Sequence, residues 1–200
     1  MAEQVTLRAL DEADAPIVAQ LHRDCIDTGF ISSLGPSFVT ALYRAIARSP
    51  HSLSWIALQG GEMVGFVAFS SHLGRLYRSV LLTGGARLLG AAAGRLLSWQ
   101  RIKYMTETLM YPNRHPETSL PQAELLAVAV SATARGQGVG RQLVQRGLQQ
   151  CRCEGIPALK VCVGPNREPA IRLYEACGFK FSNELEHHGV TNRIYTIDLN

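Results

Sequence analysis

The run "QAELLAVAV" (122–130) is almost continuously apolar and passes directly into "SATARGQGVGRQLV" (131–144), where Gly136, Gly138 and Gly140 alternate with other residues ahead of a helix-like pattern. An apolar run with so few interruptions suits a strand covered on both faces, hence a central one. A strand that enters a glycine loop and then a helix gathers several backbone N–H groups and a positive helix end at one point, which is a site for an anion. Glycine permits positive φ and lets a ligand approach with no Cβ in the way. The stretch therefore constrains the chain to a layered α/β arrangement. A helix start that binds nothing remains the alternative reading of the loop taken alone.

The rest of the chain supplies the other layers. "QVTLRAL" (4–10) alternates like a strand, and "DEADAPIVAQLHRDCI" (11–26) has the acidic first turn and apolar spacing of a helix. "GFISSLG" (29–35) is a connection, and "PSFVTALYRAIARS" (36–49) reads as a second helix with Phe38, Val39, Leu42, Tyr43 and Ile46 on one face. "SLSWIAL" and "EMVGFVAFS", joined by "QGGE", form a hairpin. After the glycine loop come a helix ended by Gly155, the strand "PALKVCVG" (157–164), the helix "NREPAIRLYEACGF" (166–179), a short strand "FKFS" and the final strand "RIYTIDL" (193–199). Two strand-helix units in the second half predict a parallel pair inside an otherwise antiparallel sheet.

With 200 residues, one domain spanning 1–200 is the expectation. The opening has acidic residues and no apolar h-region, and no stretch reads as a membrane span, so a cytoplasmic location is expected. The five cysteines, Cys25, Cys151, Cys153, Cys162 and Cys177, lack metal-ligand spacing, so no metal site is expected. A net charge of +4 leans mildly toward anionic partners.

Spacing separates the glycine loop from two other phosphate loops. It has no Gly-Lys-Ser/Thr ending, and Arg141 stands where a dinucleotide fingerprint needs its third glycine. What remains is Arg135-Gly136-Gln137-Gly138-Val139-Gly140. This resembles the Arg/Gln-x-x-Gly-x-Gly/Ala signature of the GCN5-related N-acetyltransferase (GNAT) superfamily. "NREPAIRLYEACGF" is similar to the family's second signature one strand later, and "TLRALDEADAPIVAQLH" to its first strand and helix. Ala132-Thr133 departs from the Pro-Glu of many members.

The resemblance implies an α/β (α+β) GNAT fold: a central mixed, mostly antiparallel sheet with a splayed parallel strand pair and helices on both faces. It also implies transfer of an acetyl group from acetyl-CoA to a primary amine by direct attack. The N–H groups of Arg135, Gly136, Gln137, Gly138, Val139 and Gly140 would hold the pyrophosphate, with charge from Arg135 or Arg141. The strand end near Val128 and Val130 would pair with the pantetheine chain, and a backbone N–H there would steady developing negative charge. An alkyl ammonium has a pKa of roughly 10 and cannot attack until deprotonated. Glu124 is the candidate base, since the same strand carries a catalytic glutamate in a similar "AE" context in one branch of the family; a solvated strand start and a water chain are its alternatives. Tyr174 matches the family tyrosine that protonates the departing thiolate, against a packed aromatic. Asn166 is either a cofactor contact or a helix N-cap. Phe30, Ser32 and Ser33 lie where the family shapes its acceptor pocket; the serines either contact the acceptor or cap the helix that starts near Pro36. His22 reads as a partly buried surface residue, and His187-His188 as a polar turn.

Residues 74–118 form a basic helical insert between the third and fourth strands. No acidic residue occurs from Met63 to Thr106, while Arg75, Arg78, Arg87, Arg95, Arg101 and Lys103 interrupt leucines, alanines and glycines. Three readings stay open: a cover packed on the sheet or on a second copy in a homodimer, counter-charge for an anionic acceptor such as a nucleotide-linked amino sugar, or contact with a membrane surface. Nucleic acid is not an expected partner, because no aromatic platform accompanies the charge. The acceptor, a small-molecule or peptide amine, is left open, and an acyl-CoA-binding sensor without turnover is the rival from another class.

Overall fold

The computed structural model describes residues 4–26, 30–92, 120–164, 166–187 and 190–200. Seven strands form one sheet: β1 (Thr6–Ala9), β2 (Trp55–Gln59), β3 (Glu62–Ser70), β4 (Ala123–Val130), β5 (Ala158–Val163), β6 (Lys180–His187) and β7 (Val190–Asp198). Their order is β1-β2-β3-β4-β5-β7-β6, and the β4–β5 pair alone is parallel. The apolar run read as central is indeed β4, in the middle of the sheet.

Helices α1 (Ala15–Cys25), α2 (Phe30–Ser33), α3 (Pro36–Arg48) and α4 (Leu73–Ala92) precede β4, and α5 (Val139–Cys153) and α6 (Glu168–Ala176) follow it. Strand alternation divides the core into two layers. Ile56, Phe66, Ala68 and Ala129 face α1, α3 and α4. Val67, Phe69, Leu125 and Val161 face the layer that holds Leu143 and Leu148 of α5 and Ile171 of α6. Helices thus cover both faces, as the GNAT resemblance implied. The expected helix over 11–26 is split: Asp11 caps a 3-10 turn over Glu12–Asp14, and α1 begins at Ala15.

Two glycine positions fix how the layers meet. Gly60 and Gly61 both have positive φ (59° and 82°), the turn that matches the twist of the β2–β3 hairpin. On α5, a Cβ at Gly147 would lie 2.0 Å from Cε2 of Phe69, so only glycine lets this helix seat over β3.

Three expectations are corrected. "GFISSLG" is not wholly irregular, because Phe30–Ser33 closes a helical turn. The penultimate strand runs the full Lys180–His187 and the last begins at Val190, so His187 ends a strand; His188 lies outside the described residues. Lys180, Phe181, Ser182, Glu184 and Glu186 are exposed on this edge, so backbone pairing with β7, with no apolar alternation, defines the strand. Finally, α6 starts at Glu168 with Arg167 as N-cap, and Asn166 precedes it at φ 61°, so Asn166 is not the cap.

Candidate active site

The middle of the sheet opens. β4 pairs in parallel with β5 through Ala123↔Leu159, Glu124↔Lys160 and Leu125↔Val161, and the ladder stops there. β4 nevertheless continues to Val130 and β5 to Val163. Toward β5, the backbone of residues 126–130 is therefore an unpaired strand edge, able to accept an extended ligand as an added strand. Val128 and Val130 both lie on this edge.

A bulge at the same place re-aims the side chains of β4. Phe69 pairs with Leu125 and Ala68 with Ala127, which leaves Leu126 as the extra residue. Consecutive Leu126 and Ala127 consequently join Glu124 along one cavity.

The glycine loop stands at the far end of that edge. Gly136 and Gly138 have φ of 76° and 79°, and a Cβ at either would meet nothing within 4 Å. Their conformation, not crowding, requires glycine. Gly140 differs: it lies in the first turn of α5, and a Cβ there would sit 3.4 Å from Leu173. Among the described residues, the N–H groups from Gly136 to Arg141 donate to no group of the chain. Gln137 and Arg141 are exposed and Val139 is buried. Arg135 is exposed and folds back on the strand end, with Nε 3.2 Å from the Val130 carbonyl oxygen and Nη2 3.4 Å from Sγ of Cys25. Free N–H donors at a positive helix end, open space before them and an adjoining unpaired strand together fit a pyrophosphate with a linear amide chain behind it.

On the other side of β4, α1, α3 and α4 enclose a cavity of about 300 Å³. Phe38, Leu42 and Ile46 of α3 face Leu76, Val80 and Leu88 of α4 across it. Its polar groups are Glu124, His22, Tyr43 and Tyr77. Glu124 is 8% exposed, and its Oε2 has no hydrogen-bond partner. Nζ of Lys160 is 3.7 Å from that oxygen, close enough for charge attraction and too far for a hydrogen bond. Burial pushes the Glu124 carboxyl up and the Lys160 ammonium pulls it down, with burial prevailing, so it titrates at about 7. His22 is buried, with Nδ1 2.8 Å from the Tyr43 hydroxyl and Nε2 without a partner. Burial pushes its pKa down to about 4, so the ring is neutral at pH 7.

Tyr174 does not line this cavity. It packs in the opposite layer against Phe179, ring centroids 5.9 Å apart, and burial raises its hydroxyl above the usual phenol range. Cys162, on β5 two residues after Lys160, lies within electrostatic reach of both Tyr174 and Glu124. The two expected catalytic side chains thus flank the open strand pair from opposite faces. Of the expected acceptor contacts, Ser32 donates to the Ile26 carbonyl and Ser33 is exposed, while Ile31 lines the cavity. The side chain of Phe30 lies outside the described residues.

Lys160, Tyr77 and the His22–Tyr43 pair were not singled out by sequence. The one available signal was a lysine interrupting the apolar strand "PALKVCVG". His22 is a buried pocket residue, not a surface one, because Tyr43 of α3 supplies its partner.

A mixed sheet that opens at its parallel pair, with a helix-end cradle at the mouth, offers room for an extended anion beside a central strand. A model of the Acetyltransferase (GNAT) family matches residues 19–179. The chain belongs to this family. It is 42% identical over 65 residues to mycothiol acetyltransferase of Thermomonospora curvata, which covers 32% of this chain and 21% of that protein. It is 32% identical over 73 residues to N-acetyltransferase 8 of Rattus norvegicus, covering 36% and 33%. The chain thus spans a third or less of these relatives. Among solved structures it is similar to SsHAT (TM-score 0.70, 19% identity, 98% of this chain and 99% of that one). It is also similar to yncA from Salmonella typhimurium, solved with its cofactor acetyl-CoA (TM-score 0.58, 14% identity, 98% and 94%). At these identities the likeness carries the fold.

Proposed function

We propose that this chain transfers the acetyl group of acetyl-CoA to the nitrogen of a primary amine. The observation that carries the reading is the buried Oε2 of Glu124, which receives no hydrogen bond and faces a ligand-sized cavity beside the point where β4 and β5 part. Acetyl-CoA, when bound, supplies an activated thioester carbonyl. The N–H groups of the 136–141 loop hold its pyrophosphate, Arg141 adds charge at the helix start, and residues 126–130 pair with its amide chain. Asn166, at the mouth of β5 with its backbone in the left-handed region, is a further contact.

Glu124 accepts a proton from the incoming ammonium at Oε2, and its pKa of about 7 makes it ionised often enough, and basic enough, near neutrality. The amine nitrogen would gain the acyl carbon as the C–S bond breaks and release its second proton to solvent, while the departing sulfur would take a proton from a donor. Tyr174, held protonated by burial, is the donor on the opposite face.

Thiol release measured against a panel of amines, with Glu124→Gln and Tyr174→Phe beside the wild type, tests the reading. Amine-dependent release that falls about 10²–10⁴-fold in Glu124→Gln supports it. Stabilisation by acetyl-CoA with no release on any amine favours the acyl-CoA sensor instead.

A further inference from the structure

The walls of the Glu124 cavity specify the acceptor more narrowly than the reaction does. Resting on the acetyl-transfer reading, we infer that the acceptor is a small primary amine with an apolar body, alkyl or arylalkyl. Its nitrogen sits at Glu124 and its hydrocarbon part lies between α3 and α4.

Three observations meet here. First, the opposed walls are hydrocarbon: Phe38, Leu42 and Ile46 on one side, Leu76, Val80 and Leu88 on the other. A hydroxyl or amide buried among such groups gives up its water without a replacement partner, which disfavours amino sugars and peptide backbones. Second, charge in the cavity has one sign. Lys160 is engaged with Glu124, His22 is neutral, and Arg75, Arg78 and Arg87 of α4 are exposed and do not line the cavity. An anionic acceptor therefore meets a carboxylate and no cation in the cavity lining, whereas an ammonium meets its counter-ion there. Third, a cavity of about 300 Å³ stands at the lower end of the roughly 300–1,000 Å³ typical of small-ligand sites, the scale of a compact amine.

Gly85 gives the means to test this. It lines the cavity from α4, and a Cβ there would meet nothing within 4 Å, so a leucine at this position starts into open space on the cavity wall. Calorimetric titration of the wild type with 2-phenylethylamine, ethanolamine and glucosamine reads binding directly, and thiol release from acetyl-CoA reads turnover. Support is tighter binding and at least about tenfold higher kcat/KM for 2-phenylethylamine than for the two polar amines. Further support is a loss in Gly85→Leu at least about tenfold larger for 2-phenylethylamine than for propylamine, in a variant that acetyl-CoA still stabilises. Equal or better turnover of glucosamine or of a peptide N-terminus overturns the proposal and leaves acetyl transfer standing, as does equal slowing of both amines by Gly85→Leu. Absence of both acetyl-CoA stabilisation and thiol release removes the acetyl-transfer reading and the proposal with it.

Discussion

Glu124 and His22 face one cavity, yet their titrations push stability in opposite directions. Burial raises Glu124 from an ordinary 4.5 to about 7, so the fold favours its protonated form. That contribution is complete below pH 4.5 and is lost as pH rises through 7. Burial lowers His22 from 6.5 to about 4, so its contribution is present above pH 6.5 and is lost as pH falls through 4. The windows overlap and the two effects offset each other in the wild type, each unit of separation being about 1.4 kcal/mol. Glu124→Gln removes one side of this balance. Scanning calorimetry should show the variant's Tm falling relative to wild type between pH 7 and pH 4.5; a constant difference would mean that Glu124 is not held protonated by the fold. Lys160 tunes the same group from the register-paired position on β5. In Lys160→Met the carboxyl loses its nearby cation and its pKa rises further, so the acid limb of the kcat/KM profile should move to higher pH. An unmoved limb would assign the limb to another group. Glu124 was legible in the sequence because an acid interrupts an apolar strand. Lys160 interrupts its strand just as visibly, but the pairing that joins them depends on parallel register, which neither local run encodes.

Elements were legible where apolar periodicity formed them and obscure where backbone pairing did. β4, α3 and α5 carry their patterns openly, whereas β6 is an exposed edge held by β7 and α2 is a single turn. α4 realises the first part of the insert as a cover on α3 and the sheet, with Leu76, Val80 and Leu88 inward and its arginines outward; residues 93–119 lie outside the described residues. Glycines mark two element-scale tests. A Cβ at Gly147 collides with the fully buried Phe69 at 2.0 Å, so Gly147→Ala should cost about 1–3 kcal/mol in chemical denaturation. An unchanged midpoint would mean that α5 shifts freely over β3. Gly138 and Gly140 look alike in the motif but differ in the fold. Gly138 needs its left-handed conformation, worth about 1–2 kcal/mol against a side chain, and faces open space, whereas Gly140 would bring a Cβ into ordinary contact with Leu173. Gly138→Asp should therefore abolish thermal stabilisation by acetyl-CoA, while Gly140→Ala retains it. Retention by both would remove the pyrophosphate from this loop.

At the scale of the molecule, the proposed assignment of two ligands rests on one sheet that offers two different surfaces. The succession of strands and helices along the chain and the parallel pair were readable from the alternation of strand and helix signals. Two other features were not: the ladder ending at Leu125↔Val161, and the bulge that turns Leu126 and Ala127 to the side of Glu124. Both are properties of pairing between distant segments, and they create the division of labour. The unpaired edge of β4 and the loop after it offer backbone donors, suited to an extended anion. The α1, α3 and α4 face of the same strand offers apolar walls and one carboxylate, suited to an amine. Amide hydrogen exchange separates the two. Acetyl-CoA should slow exchange at those amides of 126–130 that do not already donate to β3, and across 136–141, with little change along α3 and α4. Adding an apolar amine should then slow exchange in α4 near Leu76 to Leu88, where the helix wall gains a packed neighbour. Protection of α4 by acetyl-CoA alone would place the thioester ligand in the apolar cavity and reverse the assignment of the two sides of β4.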